Sequence, residues 1–325
     1  MMLTFRPVLG IALGLIAISQ VCNAQGQHAS KRVGLLTIGT PATSSHLVRA
    51  FAAALETRGL AEGRELELIV RYAEGREEKL EPLAREIVAR QPAVIVAPGT
   101  VVAETVRKAA PGVPIVTLVG DITGTGLAAT LARPGSVVTG VSFQSATLDA
   151  KRLELLATVL PKGSAVLNLS DSSALAGSHT ALGKAGRALG ITMHTVEART
   201  PEEIDTAFRA AAKLDTGGVN VLTSPFLNTQ RAKIMKLAAT ARLPAIYQWP
   251  ESAEEGGLMG YGPRLTDIYR QLAGYVVRIL QGANPADLPV EQPAKLELVI
   301  NLKTAKALGI KIPQSILVRA DKVIE

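Results

Sequence analysis

Small hydroxylated residues and glycines recur at one kind of place in this 325-residue chain, just after short apolar runs. Gly39 and Thr40, with Ser44 and Ser45 close behind, follow residues 32–38, and Gly99 with Thr100 follow residues 93–97. Gly120 and Asp121 follow residues 114–119, Asp171 and Ser172 follow residues 165–169, and Ser224 follows residues 219–223. Residues of this kind bind rather than react. Hydroxyls and backbone N–H groups at helix starts donate to anionic or polar ligand atoms, and the helix dipole adds a positive end. Asp121 and Asp171 supply the opposite polarity, a carboxylate for an ammonium group. Tyr247 and Trp249, the latter the only tryptophan, follow another short apolar run and offer aromatic faces to cover an apolar part of a ligand. Helix capping competes for each of these hydroxyls. Their recurrence at strand ends therefore carries more than any one of them.

No constellation for covalent, redox or metal chemistry accompanies them. Residues 124–129 (GTGLAA) match the dinucleotide fingerprint, but they trail a fourth strand at an interval instead of following a first strand directly. Gly183-Lys184 is followed by Ala185 where a phosphate loop needs Ser or Thr. His28, His46, His179 and His194 are dispersed, and no two have the i, i+4 spacing of a helical zinc pair. Gly177-Ser178-His179 lacks the glycine frame of a nucleophile elbow. The expectation is a protein that is not an enzyme and needs no metal or cofactor. The net charge of +7 comes from basic residues scattered along helices, and aromatic residues are 3% of the chain, too few for base-stacking platforms. Nucleic acid is not an expected partner.

The elements that must position these residues alternate strand, loop and helix. Strands are expected at 32–38, 66–72, 93–97, 114–119 and 137–143, with helices at 44–58, 79–90 and after Thr100. The unalternating apolar runs read as parallel strands buried on both faces. A second series follows, with helices at 148–160, 174–189, 201–213 and 229–241 and strands at 165–169, 191–197, 219–223, 244–247 and 258–261. Residues 265–280 have the strongest helical periodicity, 284–293 read as an extended crossover, and 295–301 as a last strand. The fold class is α/β, with two doubly wound, Rossmann-like lobes whose strand ends face one another.

Ahead of both lobes, one positive charge and an apolar stretch at residues 8–18 end in polar residues well short of a membrane span. Residues 1–24 read as a signal peptide cleaved after Ala24 in preference to lipidation at Cys22, the only cysteine. Cleavage leaves a chain with no disulfide and a periplasmic destination.

Five stretches carry a family resemblance: residues 51–63 (FAAALETRGLAEG), 72–76 (YAEGR), 126–140 (GLAATLARPGSVVTG), 151–156 (KRLELL) and 286–325. On these the chain resembles ABC-transporter substrate-binding proteins with the periplasmic-binding-protein type I fold, whose relatives include tryptophan- and phenylalanine-binding proteins. The resemblance implies three crossovers between the lobes, near Phe143, Tyr261 and Gln292, forming a hinge. Lobe one is then residues 25–143 plus 262–292, and lobe two 144–261 plus 293–325. It also implies a monomer that captures a small solute, an amino acid or related compound, by hinge closure and delivers it to a membrane permease and its ATPase. One departure bears on the ligand. Many relatives have Asn-Pro after the first strand of lobe two, whereas this chain has Leu169-Ser170-Asp171-Ser172-Ser173, so an aromatic amino acid does not simply carry over. A periplasmic receptor reporting to a membrane signalling protein is the alternative on the same fold, and a secreted α/β enzyme a more distant one. A repressor would need a helix-turn-helix ahead of Val33.

Overall fold

The computed structural model describes Met1, residues 30–171 and residues 176–325. The leader expected over residues 1–24, past its first residue, and the candidate site residue Ser172 lie outside the described residues.

The first lobe is built in the order β1 (Lys31–Thr37), α1 (Pro41–Glu56), β2 (Leu66–Tyr72), α2 (Leu80–Ala89), β3 (Val94–Val96), α3 (Thr100–Ala109), β4 (Ile115–Val119) and β5 (Val138–Ser142). Its five strands are parallel in the order β2-β1-β3-β4-β5. Every residue of β3, β4 and β5 is buried, because helices cover both faces of the sheet. Alternate residues serve the two faces. Val33, Leu35, Val94, Val96, Val116 and Val141 join one apolar cluster, and Leu36, Ile95, Ile115 and Val138 the other.

Capping decides where α1 begins. The Thr40 side chain accepts from the Thr43 N–H, the Thr43 side chain accepts from the Thr40 N–H, and Pro41 occupies the first turn. The helix thus starts three residues before the expected Ser44, and its apolar face still buries Leu47, Phe51, Ala54 and Leu55. Between β4 and β5 the interposed helix expected of a doubly wound lobe is absent. Residues 120–137 run instead as turns. Gly140 in β5 adopts a φ of +141°, and a Cβ there would collide with the Thr117 backbone of β4, so glycine permits this pairing.

The second lobe continues with α4 (Ser145–Ala157), β6 (Ala165–Ser170), α5 (Ala176–Leu189), β7 (Thr192–Glu197), α6 (Pro201–Lys213), β8 (Thr216–Val221), α7 (Pro225–Thr229), α8 (Arg231–Thr240), β9 (Ala245–Tyr247), α9 (Pro250–Glu254) and β10 (Met259–Gly262). The helix expected at 229–241 is α8, and the short α7 ahead of it was not expected. Ser224 caps α7 through the Leu227 N–H, and the backbone leaves helical geometry at Gln230 before α8. The chain ends with α10 (Leu265–Leu280), β11 (Glu297–Asn301), α11 (Leu302–Leu308), α12 (Gln314–Leu317) and β12 (Lys322–Ile324). The second sheet has the order β12-β11-β10-β9-β8-β6-β7, all parallel except β10 against β11.

That antiparallel pair reflects the path of the chain. After β5 it enters α4, which packs on β8 and β9; after β10 it enters α10, which packs on α1 and the first sheet. Helix α10 buries Ile268, Leu272, Tyr275 and Val276 there, each contributing about 1.5–3 kcal/mol of apolar burial. The chain then forms a bridge from Glu291 to Val141 beside β5 and returns to the second sheet as β11. Three strands of chain therefore pass between the lobes.

Candidate ligand-binding cleft

A cavity opens between the two sheets at the carboxyl ends of β1, β3, β4 and β8, with an empty volume of about 780 Å³ that includes its open mouth. The lobes meet closely around it. Gly99, at φ +104°, lies so near lobe two that a Cβ there would be 2.9 Å from Pro225 Cγ. On the rim, His46 of α1 is within the field of Arg231 and Glu255 of lobe two.

The lobe-one wall consists of strand ends and helix starts. Gly99 and Thr100 line it, and Gly99 is the cap residue of α3 with no side-chain cap. The first N–H groups of that helix have no intrahelical acceptor and face the cavity with the positive end of the helix dipole. Ser44, 6% exposed, lines the same wall one turn into α1. The lobe-two wall is Thr223, Ser224 and Pro225, at the exit of β8 and the start of α7, with Asn228 and Thr229 further along α7. Ser224 Oγ donates to Asp171 Oδ2 and accepts from the Leu227 N–H at 2.9 Å. Gln248 clamps its backbone, accepting from Ser224 N–H at 2.7 Å and donating to the Ser224 carbonyl at 3.2 Å.

The back of the cleft is apolar. Trp249 meets Phe143 edge to face, with ring centroids 5.4 Å apart, and Leu47, Leu118, Leu265 and Tyr269 complete the surface. Trp249 belongs to the lobe-one apolar cluster although its chain has just left β9 of lobe two. Its indole Nε1 is buried without a hydrogen-bond partner among the described residues. No charged side chain is among the described residues that line the cavity.

Seven of the residues singled out from the sequence therefore converge on the cavity: Gly39, Ser44, Gly99, Thr100, Gly120, Ser224 and Trp249. Asp171 lies directly behind Ser224, 5% exposed. The others have different surroundings. Thr40 spends its hydroxyl on the α1 capping box, and Ser45 accepts from the Arg49 guanidinium at 3.2 Å along the same helix. Asp121 ties a turn, its Oδ1 accepting from Thr123 N–H, Thr123 Oγ1 and Gly124 N–H at 3.1, 2.8 and 2.9 Å. Partial burial pushes its carboxyl upward, but the hydrogen bonds from Gly124 and Thr123 together hold it below the ordinary range. Tyr247, 2% exposed, is packed in the lobe-two core, where burial raises its hydroxyl well above the usual tyrosine value. Thr223, Phe143 and Ser145 were overlooked although each lies at a strand exit, where the same signal applied. Leu265 and Tyr269 read only as the apolar face of a helix, and nothing local marks them as cleft residues.

No group of three or more His, Cys, Asp and Glu that could hold a metal ion occurs among the described residues. No helix among them is long and apolar enough to cross a membrane.

Residues 36–324 match the family model described as ABC transporter substrate binding protein. A tyrosine-binding protein of Clostridioides difficile (strain R20291) is 24% identical over 285 residues, covering 86% of this chain and 81% of that protein. Among solved structures, an ABC domain in complex with L-Trp from Streptococcus pneumonia is similar with a TM-score of 0.82 at 22% identity, covering 91% of this chain and all (100%) of that one. The ligand-free, open structure of a substrate-binding protein with adhesive properties from Clostridium difficile gives a TM-score of 0.62 at 22% identity, over 91% of this chain and 99% of that one.

Proposed function

We propose, from the premise that the chain belongs to the ABC transporter substrate-binding protein family, that its cleft captures an amino acid or a closely related zwitterion. Membership makes it the solute-binding component of an ABC transporter, a binding protein and not an enzyme. The observation that carries the finer reading is the opposed polarity of two walls in a cavity without charged lining. The uncapped start of α3, from Thr100 onward, offers donors and a positive dipole end for a carboxylate. Across from it, Ser224 backed by the Asp171 carboxylate suits an ammonium group. Trp249 and Phe143 then cover an apolar side chain. The relatives named as tyrosine-binding and as bound to L-Trp support the same class.

In this reading the lobes, residues 25–143 plus 262–292 and 144–261 plus 293–325, close about the three crossovers when the solute fills the gap between Thr100 and Ser224. Binding energy shifts the population toward the closed form. The closed monomer delivers its solute in the periplasm to a permease whose ATPase supplies the energy. The test is thermal unfolding of the protein, refolded to strip bound solute, against the twenty L-amino acids, sugars, polyamines, nucleosides and carboxylates lacking an amine. A solute at a hundred times its dissociation constant stabilises by about 2.7 kcal/mol, a shift of several degrees. Stabilisation confined to amino acids is the expected result; stabilisation by sugars or nucleosides alone overturns the zwitterion reading.

A further inference from the structure

Beneath the lobe-two wall lies a fully buried ion pair. Asp149 and Arg152, one turn apart on α4, are 1% and 0% exposed, and Arg152 Nη2 donates to Asp149 Oδ1. Arg152 Nη1 donates to the Tyr261 carbonyl of β10 at 2.9 Å, and Ser178 Oγ of α5 donates to Asp149 Oδ2 at 3.0 Å. Three further contacts converge on one cleft residue, Thr223. Its N–H donates to Asp149 Oδ1 at 3.2 Å, its hydroxyl donates to the same oxygen at 3.1 Å, and Arg152 Nη2 donates to its Oγ1 at 2.6 Å.

Stability is a poor account of this arrangement. A buried ion pair loses so much hydration that apolar replacement of both partners is often neutral or stabilising. What the pair does by geometry is set the polarity of Thr223. A guanidinium only donates and a carboxylate only accepts, so the single hydroxyl proton points to Asp149 and one lone pair receives Arg152. Toward the cavity only an acceptor remains. The neighbouring Ser224 has the same status, its proton directed to Asp171 and one lone pair taken by the Leu227 N–H. The hydroxyls of Thr223 and Ser224 are thereby both fixed as acceptors.

We propose that Asp149 and Arg152 are positioning residues for ligand binding, holding the Thr223 hydroxyl as an acceptor for an N–H of the solute. The cleft thereby selects solutes with an amine over otherwise identical solutes without one. This rests on the reading of the cleft as an amino acid site, and the test separates the two. Calorimetry on the purified protein uses each of the twenty L-amino acids and, for those that bind, the carboxylic acid with hydrogen in place of the amine. Thr223→Val lowers affinity for the amino acid about tenfold and leaves affinity for its desamino partner unchanged, while Thr223→Ser retains the preference. The double variant Asp149→Leu/Arg152→Met leaves no unpaired charge and frees the Thr223 hydroxyl to rotate, so the preference for the amine falls several-fold. Equal weakening of both ligands by Thr223→Val, or an undiminished preference in a folded double variant, overturns the proposal and leaves the amino acid reading standing. If the double variant does not fold, the two Thr223 variants decide alone. Failure of all twenty amino acids to bind overturns the reading of the site and this proposal with it.

Discussion

Glu251, at the start of α9, joins the cleft to the hinge through a single carboxyl. Its Oε1 accepts from the Leu265 N–H at 2.9 Å, at the first turn of α10, and its Oε2 is buried without a hydrogen-bond partner among the described residues. Burial dominates and raises its pKa, with Arg264 and the Leu265 N–H only partly opposing. A carboxyl raised in the folded state contributes stability while it is neutral, and that contribution is lost as pH rises through the raised value. Glu251→Gln keeps the group neutral at every pH, so its melting temperature relative to the parent is expected to climb between pH 4 and pH 7. Each kcal/mol appears as about 2–4 °C in a domain of 150–250 residues. A difference that stays flat across that range excludes a titrating Glu251. Legibility of the site divides along similar lines. Ser44, Gly99, Thr100 and Ser224 could be found because a strand exit is a local, one-dimensional signal. Asp121 and Tyr247 carry the same signal, but whether a side chain turns to the cleft, to a turn or to a core is decided by neighbours distant in sequence.

At the scale of elements, the β4–β5 pairing depends on one backbone position. Gly140 sits at φ +141° against the Thr117 backbone. Gly140→Ala adds both a strained conformation, about 1–3 kcal/mol, and a clash with a fully buried strand. Urea unfolding is expected to show a loss of at least about 3 kcal/mol, and a loss below about 1 kcal/mol would show that the strand can shift. Most elements were legible because apolar periodicity and capping signals agree: β2, α6 and α10 run from the first to the last residue expected of them. Pro201 in the first turn, with Thr200 capping through the Glu203 N–H, makes α6 an example of that agreement. The chain after Asn301 was not legible, since α11, α12 and β12 span only seven, four and three residues. Segments that short hold few turns of any period, and packing on the second sheet decides their form. Helix α7 is illegible for a related reason: its five residues make little more than one turn, and only the Ser224 cap shows where it must start.

The whole molecule is governed by how its lobes meet, and one titratable group lies on that rim. His46 is half-buried, and burial chiefly lowers its pKa, with Arg231 and Arg49 adding to the effect and Glu255 opposing it. Arg231 and Glu255, themselves paired at 2.6 Å, belong to lobe two, so their part of this environment comes from across the cleft. Under the proposed hinge closure, a closed form that disfavours the imidazolium binds fewer protons than an open one. Ligand affinity is therefore expected to fall as pH drops from 7.5 to 5.5, through the ordinary histidine range. His46→Gln should flatten that dependence in titrations at the two pH values. An unchanged slope in the variant would place the effect elsewhere.

Trp249 bridges the same two bodies, in the apolar cluster of lobe one on chain that has just left the second sheet, and it is the only tryptophan of the 325 residues. Its indole is packed on Phe143 in the wall of the cleft. Light absorbed at the red edge of the protein spectrum is therefore emitted from this one position. Opening of the lobes would expose the ring to water and shift the emission, and filling of the cleft would shift it back. Under the proposed closure the protein would be its own optical gauge of occupancy, with no label attached and no second tryptophan to subtract.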